Sequence, residues 1–279
     1  MGLGYKVFFS KRAGVGRATP SGNDHLKWVP TTSTLIYGET DAILVDTQLT
    51  RAAGKELVEW VVDSGRNLTM IYITHAHADH FYGNAALIER FPGVKIVATP
   101  EVVANMAEAM LPDGMDAFWR RLFPGEIPEK LVIADALNED QFTLEGEKLV
   151  VVRIGHTDTD ETTALWVPAI GLAVVGDAVY NNTHPYLGES ATKIARLEWI
   201  SALDKIAALH PEIVIGGHSD PSKDFSPNAV HETKAYLEDF ERINEQTSSP
   251  DELYSRMLEL YPNRLNVGSL WGGANLVKK

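Results

Sequence analysis

The chain has 279 residues, 44% of them hydrophobic and 23% charged, with no cysteine and a formal net charge of −13 from 25 basic and 38 acidic side chains. The missing cysteine excludes disulfides, thiolate nucleophiles and thiolate metal ligands, so any metal must be held by histidine and carboxylate. The acidic balance argues against a nucleic-acid partner, and no apolar run approaches the roughly 18–20 residues of a membrane span.

In chain order, the amino terminus has only a short apolar patch at Val7 to Phe9 and lacks the long apolar core of a secretory signal. The expectation is a cytoplasmic protein. Residues 11–24, rich in Gly, Pro, Ser and Asn, read as a surface loop. "TLIYG" (34–38) and "AILVD" (42–46) flank Glu39–Asp41 and predict a β-hairpin. Residues 51–64 place Leu57, Val58, Val61 and Val62 on one helical face. "MIYIT" (70–74) is a buried strand, followed by a histidine-rich loop, a short helix from Asn84 to Arg90 and the strand "VKIVA" (94–98). Periodicity predicts helix over 100–124 with a break at Pro112–Gly114. "KLVVVRI" (148–154), "TALWV" (163–167) and "LAVV" (172–175) read as consecutive strands, then helix over 193–209 and the strand "EIVIGG" (212–217).

Two more helices follow, around 227–246 and 250–260, and residues 262–279 read as an irregular tail with Trp271 as its only large anchor. No repeat, low-complexity tract or linker divides the chain. It reads as a single domain over 1–279, with a helical insertion around 100–124 and a helical C-terminal region, 226–261. Blocks of strands with helices between and after them suit two packed sheets with helices outside, not one strictly alternating parallel sheet.

"ITHAHADHF" (73–81) follows directly on a buried strand and gathers His75, His77, Asp79 and His80. Alternation points His75 and His77 the same way, and a turn must bring Asp79 and His80 back. Neutral imidazoles with a carboxylate are ligands for zinc, manganese or iron. His156 ends the strand 148–154, Asp177 ends 172–175 and His218 ends 213–216. Each alone is more often a structural hydrogen-bonding residue. Together with the loop they are four strand ends, each presenting a metal-binding group.

These residues in this order resemble the metallo-β-lactamase-fold hydrolase superfamily: Asp46, His75-x-His77-x-Asp79-His80, Gly155–His156, Gly176–Asp177 and Gly217–His218. The resemblance covers about residues 30–220. It implies an α/β (α+β) fold, an αββα four-layer sandwich with metals at one edge between the sheets. It further implies two divalent ions, zinc first with Mn, Fe or Co as alternatives. His75, His77 and His156 would bind one, Asp79, His80 and His218 the other, and Asp177 would bridge them. Asp46 would support the metal loop and orient its ligands.

The zinc β-lactamases of that family carry Cys at the position of Asp177 or lack the bridging carboxylate. The aspartate therefore points to the binuclear branch of glyoxalase II, quorum-quenching lactonases and phosphodiesterases. No C-terminal Lys/Arg cluster suits glutathione, and no added domain suits a nuclease. Tyr180 is similar in position to a lactonase tyrosine that hydrogen-bonds the substrate ester. The expected activity is hydrolysis of a small ester, lactone or lactam by a metal-bridging hydroxide, with Asp79 passing a proton to the leaving group and Tyr180 polarising the carbonyl. The alternatives are a glyoxalase II-like thioester hydrolase, a single-iron persulfide dioxygenase, and a degenerate, non-catalytic binding protein. Candidate substrate contacts are His184, Tyr186, Phe118 and Trp119, the last two in a segment that reads either as packing or as a lid. His25, His210 and His231 read as structural or solvated.

Overall fold

The structure, a computed structural model, describes residues 2–10, 20, 30–111 and 114–279. The surface-loop expectation for 11–24 (apart from Pro20) and that for His25 lie outside the described residues.

The first sheet runs in spatial order through β1 (Gly4–Phe9), β2 (Thr32–Tyr37), β3 (Asp41–Val45), β4 (Asn67–Tyr72), β5 (Lys95–Ala98) and β6 (Asp135–Ala136). Its first three strands are antiparallel, with the expected hairpin between β2 and β3; from β3 onward neighbours are parallel. The parallel steps need crossovers, and helices supply them. These are α1 (Arg51–Asp63), then α2 (Ala78–Phe81) with α3 (Asn84–Arg90), and then α4 (Pro100–Ala109) with α5 (Met115–Leu122). Thr50 and Thr99 cap α1 and α4 with side chains that accept from Ala53 N and Val102 N, and Pro100 occupies the first turn of α4.

In the second sheet, β7 (Gln141–Leu144), β8 (Glu147–Gly155), β9 (Thr162–Val167) and β10 (Leu172–Val174) form an antiparallel run. The short β11 (Tyr180–Asn181) leaves it, while β12 (Ile213–Ile215) joins β10 in parallel and β13 (His218–Ser219) pairs with β11. Against this sheet lie α6 (Lys193–Ala207), α7 (Asn228–Gln246), α8 (Pro250–Leu260) and α9 (Val267–Val277).

Three apolar layers hold these parts together. Ile36, Ile43, Val45 and Tyr72 of one sheet meet Leu149, Val151, Leu165 and Val174 of the other. On the outer face of the first sheet, Leu35 and Leu44 meet Leu57 and Val61 of α1 and Val102 and Met106 of α4. On the outer face of the second, Ala164, Ala173 and Val214 meet Trp199 and Leu203 of α6 and Leu237 and Phe240 of α7. Each fully buried Leu, Val or Phe contributes about 1.5–3 kcal/mol. This is the αββα sandwich expected from the motifs.

Residues 262–279 correct the sequence reading. They contain α9, whose Leu270 and Ala274 are fully buried, and Trp271 meets Tyr254 edge-on at 5.4 Å. Gly268, Gly272 and Gly273 depress helix propensity there, and packing overrides it. Gly273 lets the helix come down on Leu187, since a Cβ would lie 3.2 Å from its Cδ1. The structure adds the edge strands β1, β6 and β7 to those expected, and β4 starts earlier and ends two residues short of Thr74.

Candidate metal centre

The edge of the sandwich is built by chain ends leaving strands. Asp46, just past β3, has φ 57°, an unusual conformation for a non-glycine residue. Its carboxylate is fully used by the loop after β4. Oδ1 accepts from Thr74 N at 2.8 Å, and Oδ2 accepts from Thr74 Oγ1 at 2.7 Å and faces His80 Nδ1 at 3.1 Å. Having spent its proton on Asp46, Thr74 Oγ1 accepts from His75 Nδ1 at 2.9 Å, which leaves the lone pair of His75 on Nε2. His80 donates from Nδ1 to Asp46 and likewise presents Nε2. His77 donates from Nε2 to Glu189 Oε1 at 2.9 Å and presents Nδ1. Thus each imidazole has one nitrogen tied and the other aimed inward, the usual second contact of a metal-ligating histidine. Phe81 and Tyr82, both fully buried, seat α2 and with it Asp79 and His80.

Asp177 lies on the turn after β10. Its Oδ1 is 3.2 Å from His80 Nε2, and its Oδ2 is 3.1 Å from His218 Nε2, which also lies 3.3 Å from Asp79 Oδ2. Two glycines make this approach feasible. A Cβ on Gly217 would sit 2.0 Å from Asp177 Oδ1 and 2.7 Å from His80 Cε1. Gly176, at φ +51°, would place one 2.5 Å from Thr74 Oγ1.

The His and carboxylate side chains form overlapping groups in which the donor atoms all lie within 4.8 Å of one another: His75, His77, Asp158 and Asp177; Asp79, His80 and His218; and Asp46, His75 and His80. Asp46 is already saturated by protein donors and so serves as a support. In the other two groups, His75 Nε2, His80 Nε2, Asp158 Oδ2 and Asp177 Oδ1 are buried without a hydrogen-bond partner. Such atoms cost about 1–3 kcal/mol each when left unpaired. An array of lone pairs converging on common points is what a cation satisfies, and the donor set fits a divalent metal.

The electrostatics agree. Burial opposes the charged form of His77, yet Asp158 and Glu189 outweigh it and hold its pKa well above the ordinary value. Burial likewise opposes the charge on His218, but Asp177 and Asp79 raise it to about 9. His75, with burial and neighbouring His80 against its charge, falls to about 3. The carboxylates of the centre thus attract positive charge, which protons supply when a metal does not.

The structure departs from the sequence reading at several residues. His156 is not in these groups: Nδ1 faces Asp160 Oδ1 at 2.6 Å and Nε2 faces Ser190 Oγ at 2.8 Å. Tyr180 does reach the centre, but its hydroxyl donates to Asp177 Oδ2 at 2.9 Å, and its buried ring stacks on His218. In this arrangement it orients the carboxylate instead of facing a substrate. The ring of His184 turns into the protein, 2.9 Å from Tyr236 Oη, and is fully buried, so it lines no open surface. Tyr186 is 38% exposed, with its ring edge-on to His77 at 5.8 Å and folded over Gly188, where a Cβ would meet its hydroxyl at 1.9 Å.

Phe118 and Trp119 sit on α5, which rests against α2. Trp119 stacks on Phe123 and packs on the outer core of the first sheet. His210 and His231 are exposed. Asp158 and Glu189 are the two residues of the centre that sequence reading does not reach. The alternating aspartates of "HTDTD" carry a signal for the first; "YLGES" carries none for the second.

The model of the metallo-β-lactamase superfamily matches residues 26–218. The chain belongs to the metallo-β-lactamase superfamily. Among solved structures, it is similar to a metallo-β-lactamase from Pontibacter korlensis (17% identity, 84% of this chain and 99% of that one, TM-score 0.60). A metallo-β-lactamase family protein from Thermus thermophilus aligns over 96% of this chain and 91% of its own, with 19% identity and a TM-score of 0.61. The metallo-β-lactamase FIM-1 from Pseudomonas aeruginosa, in its mono-zinc form, covers 85% of this chain and 92% of its own at 17% identity and a TM-score of 0.59. No curated protein matches in sequence. Superfamily membership and the clustered His and Asp side chains support a metal-dependent hydrolase. Among the described residues, no helix is long and apolar enough to cross a membrane.

Proposed function

We propose that this superfamily member is a hydrolase of a small uncharged ester, lactone or lactam, whose two His and Asp groups, with Asp177 between them, would hold two divalent ions. The observation that carries the reading is the buried donor atoms His75 Nε2, His80 Nε2 and Asp177 Oδ1, which accept or donate no hydrogen bond and converge on one another, with Asp177 Oδ1 3.2 Å from His80 Nε2. Zinc is the first candidate, in keeping with the mono-zinc form of FIM-1, and Mn, Fe or Co suit the same donors. Bound there, the ions would supply Lewis-acid polarisation of the scissile carbonyl and lower the pKa of water to about 7.

The chain's own residues do the rest. Asp79, whose Oδ2 accepts from Thr31 Oγ1 at 3.4 Å and faces His218, is placed to take the proton released on attack and return it to the leaving group. Tyr180 holds Asp177 in one orientation. Tyr186 offers an exposed aromatic edge beside His77 for the apolar part of a substrate. Two exposed carboxylates edge this side, Glu189 (46%) against His77 and Asp160 (77%) against His156. They repel anions, which favours neutral carbonyl substrates over phosphodiesters.

The test is metal quantification on the purified protein, followed by a panel of lactone, thioester, β-lactam and phosphodiester substrates and an oxygen electrode. Two ions per chain with turnover of a neutral lactone or ester is the expected result. Oxygen uptake with a persulfide and one iron per chain would replace the proposal with a dioxygenase. Best turnover of a thioester would replace it with a glyoxalase II-like activity. A metal-free protein inert on the whole panel would make it a binding protein.

A further inference from the structure

We infer that Asp158, not His156, completes the ligand set on the His75–His77 side, and that His156 is a clasp that holds Asp158 in place; this rests on the metal-dependent reading above.

Asp158 is fully buried, and a buried carboxylate persists only when its charge is matched. Its two oxygens are treated differently. Oδ1 accepts from Thr157 Oγ1 at 2.9 Å, whereas Oδ2 has no hydrogen-bond partner. That oxygen is ion-paired with His77 Nδ1 at 2.8 Å and lies 3.9 Å from His75 Nε2, the two nitrogens that Glu189 and Thr74 leave facing inward. Two donors on one tetrahedral ion at about 2.1 Å are separated by about 3.4 Å, and these separations bracket that value.

His156 lies outside the converging groups, with its nitrogens turned to Asp160 and Ser190. Nδ1 faces Asp160 Oδ1 and Nε2 faces Ser190 Oγ, and Ser190 Oγ donates to the carbonyl of Thr157 at 2.5 Å. The backbone explains the exchange. Gly155 stands at φ +94°, where the β8–β9 register shifts, and Thr157 N donates to Thr159 O at 2.9 Å to close a tight turn. The chain thus swings His156 outward onto Ser190 and brings Asp158 in. A Ser–His–Asp row results, but Ser190 is fully buried and donates to a carbonyl, so the row fastens the turn instead of arming a nucleophile.

The substitution changes the chemistry of the centre. Asp177 groups with His75, His77 and Asp158 and also contacts His80 and His218, so each side then has two imidazoles and two carboxylates within reach. A carboxylate in place of an imidazole adds one negative charge and hardens the donor set, favouring Mn, Fe or Co over zinc compared with a three-histidine site.

The experiment uses the full chain as wild type, Asp158→Asn, Asp158→His and His156→Gln, each stripped with chelator, reloaded with Zn(II), Mn(II) or Co(II), and dialysed. Metal per chain is measured by mass spectrometry, and the Co(II) visible spectrum reports ligand type. Thermal melts of the stripped proteins check folding.

Expected are two ions in wild type, two in His156→Gln with affinity reduced by about 10–100-fold as for a lost supporting contact, and one in Asp158→Asn, with affinity for the lost ion reduced more than about 100-fold. Asp158→His should regain the second ion with its preference moved toward zinc. Two ions in Asp158→Asn together with one in His156→Gln would overturn the inference and leave the metal-dependent reading standing. No metal in the wild type would overturn both.

Discussion

The hydroxyl of Tyr180 donates to Oδ2 of Asp177 at 2.9 Å, while Oδ1 of the same carboxylate is buried without a hydrogen bond, 3.2 Å from His80 Nε2. One residue three positions along the chain therefore holds the carboxylate so that its other oxygen faces inward. Burial, followed by the charge of Asp177, holds the phenol well above its ordinary pKa, so it keeps the proton it donates to Asp177. Tyr180→Phe should weaken metal binding about 10–100-fold, the typical cost of losing a contact behind a ligand. Competition with a chromophoric chelator measures this. Unchanged affinity with reduced kcat would instead return Tyr180 to the substrate.

Asp46 ties two strands' ends together by accepting from Thr74 and His80. Asp46→Ala would strand those buried donors, at about 1–3 kcal/mol for each left unpaired. The stripped variant should melt well below stripped wild type and fail to retain the ion on the His80 side. A normal melt with two retained ions would show that Asp46 is dispensable.

Gly217 has no room for a methyl group between Asp177 and His80. Gly217→Ala should cost about 1–3 kcal/mol through forced displacement and lower metal occupancy below that of wild type. Full occupancy with an unchanged melting temperature would contradict the close approach.

His184 carries the clearest acid sensitivity away from the centre. Burial and then the charge of Arg264 lower its pKa to about 3, while an unfolded chain binds the proton near 6.5. Between those values the unfolded state holds the extra proton, so stability falls as pH falls, by up to about 2 kcal/mol at pH 5. Stripped His184→Gln should therefore lose less melting temperature than stripped wild type between pH 7 and pH 5. Parallel losses would contradict this assignment.

The C-terminal helix is part of the core. Leu270 is fully buried among Leu187, Tyr254 and Met257, so Leu270→Ala should cost about 2–5 kcal/mol in a denaturant titration. A change below about 0.5 kcal/mol, typical of a surface site, would restore the reading of an irregular tail.

Much of the architecture is legible in the sequence because its signals are local. The apolar run of 70–74, the hairpin around Glu39–Asp41 and the helical face of 51–64 depend on neighbours within a few residues, and each element forms close to its expected place. Edge strands such as β7 and the helix α9 are illegible for the opposite reason. Gln141–Leu144 has little pattern of its own and pairs because β8 lies beside it. Residues 267–277 carry three glycines and are helical because α8 and Leu187 offer an apolar bed.

The sequence by itself determined that histidines and aspartates stand at the ends of buried strands, in the order of the metallo-β-lactamase superfamily, and with no cysteine among them. Only the tertiary structure decided which of them face one another. His156 and Asp158 lie two residues apart on one turn, and both residue types bind metals. A left-handed glycine, a shifted strand register and the hydroxyl of Ser190, 34 residues away, turn the imidazole outward and the carboxylate inward. Spacing along a strand fixes side-chain direction only while the chain stays extended; once it turns, direction depends on contacts from distant segments.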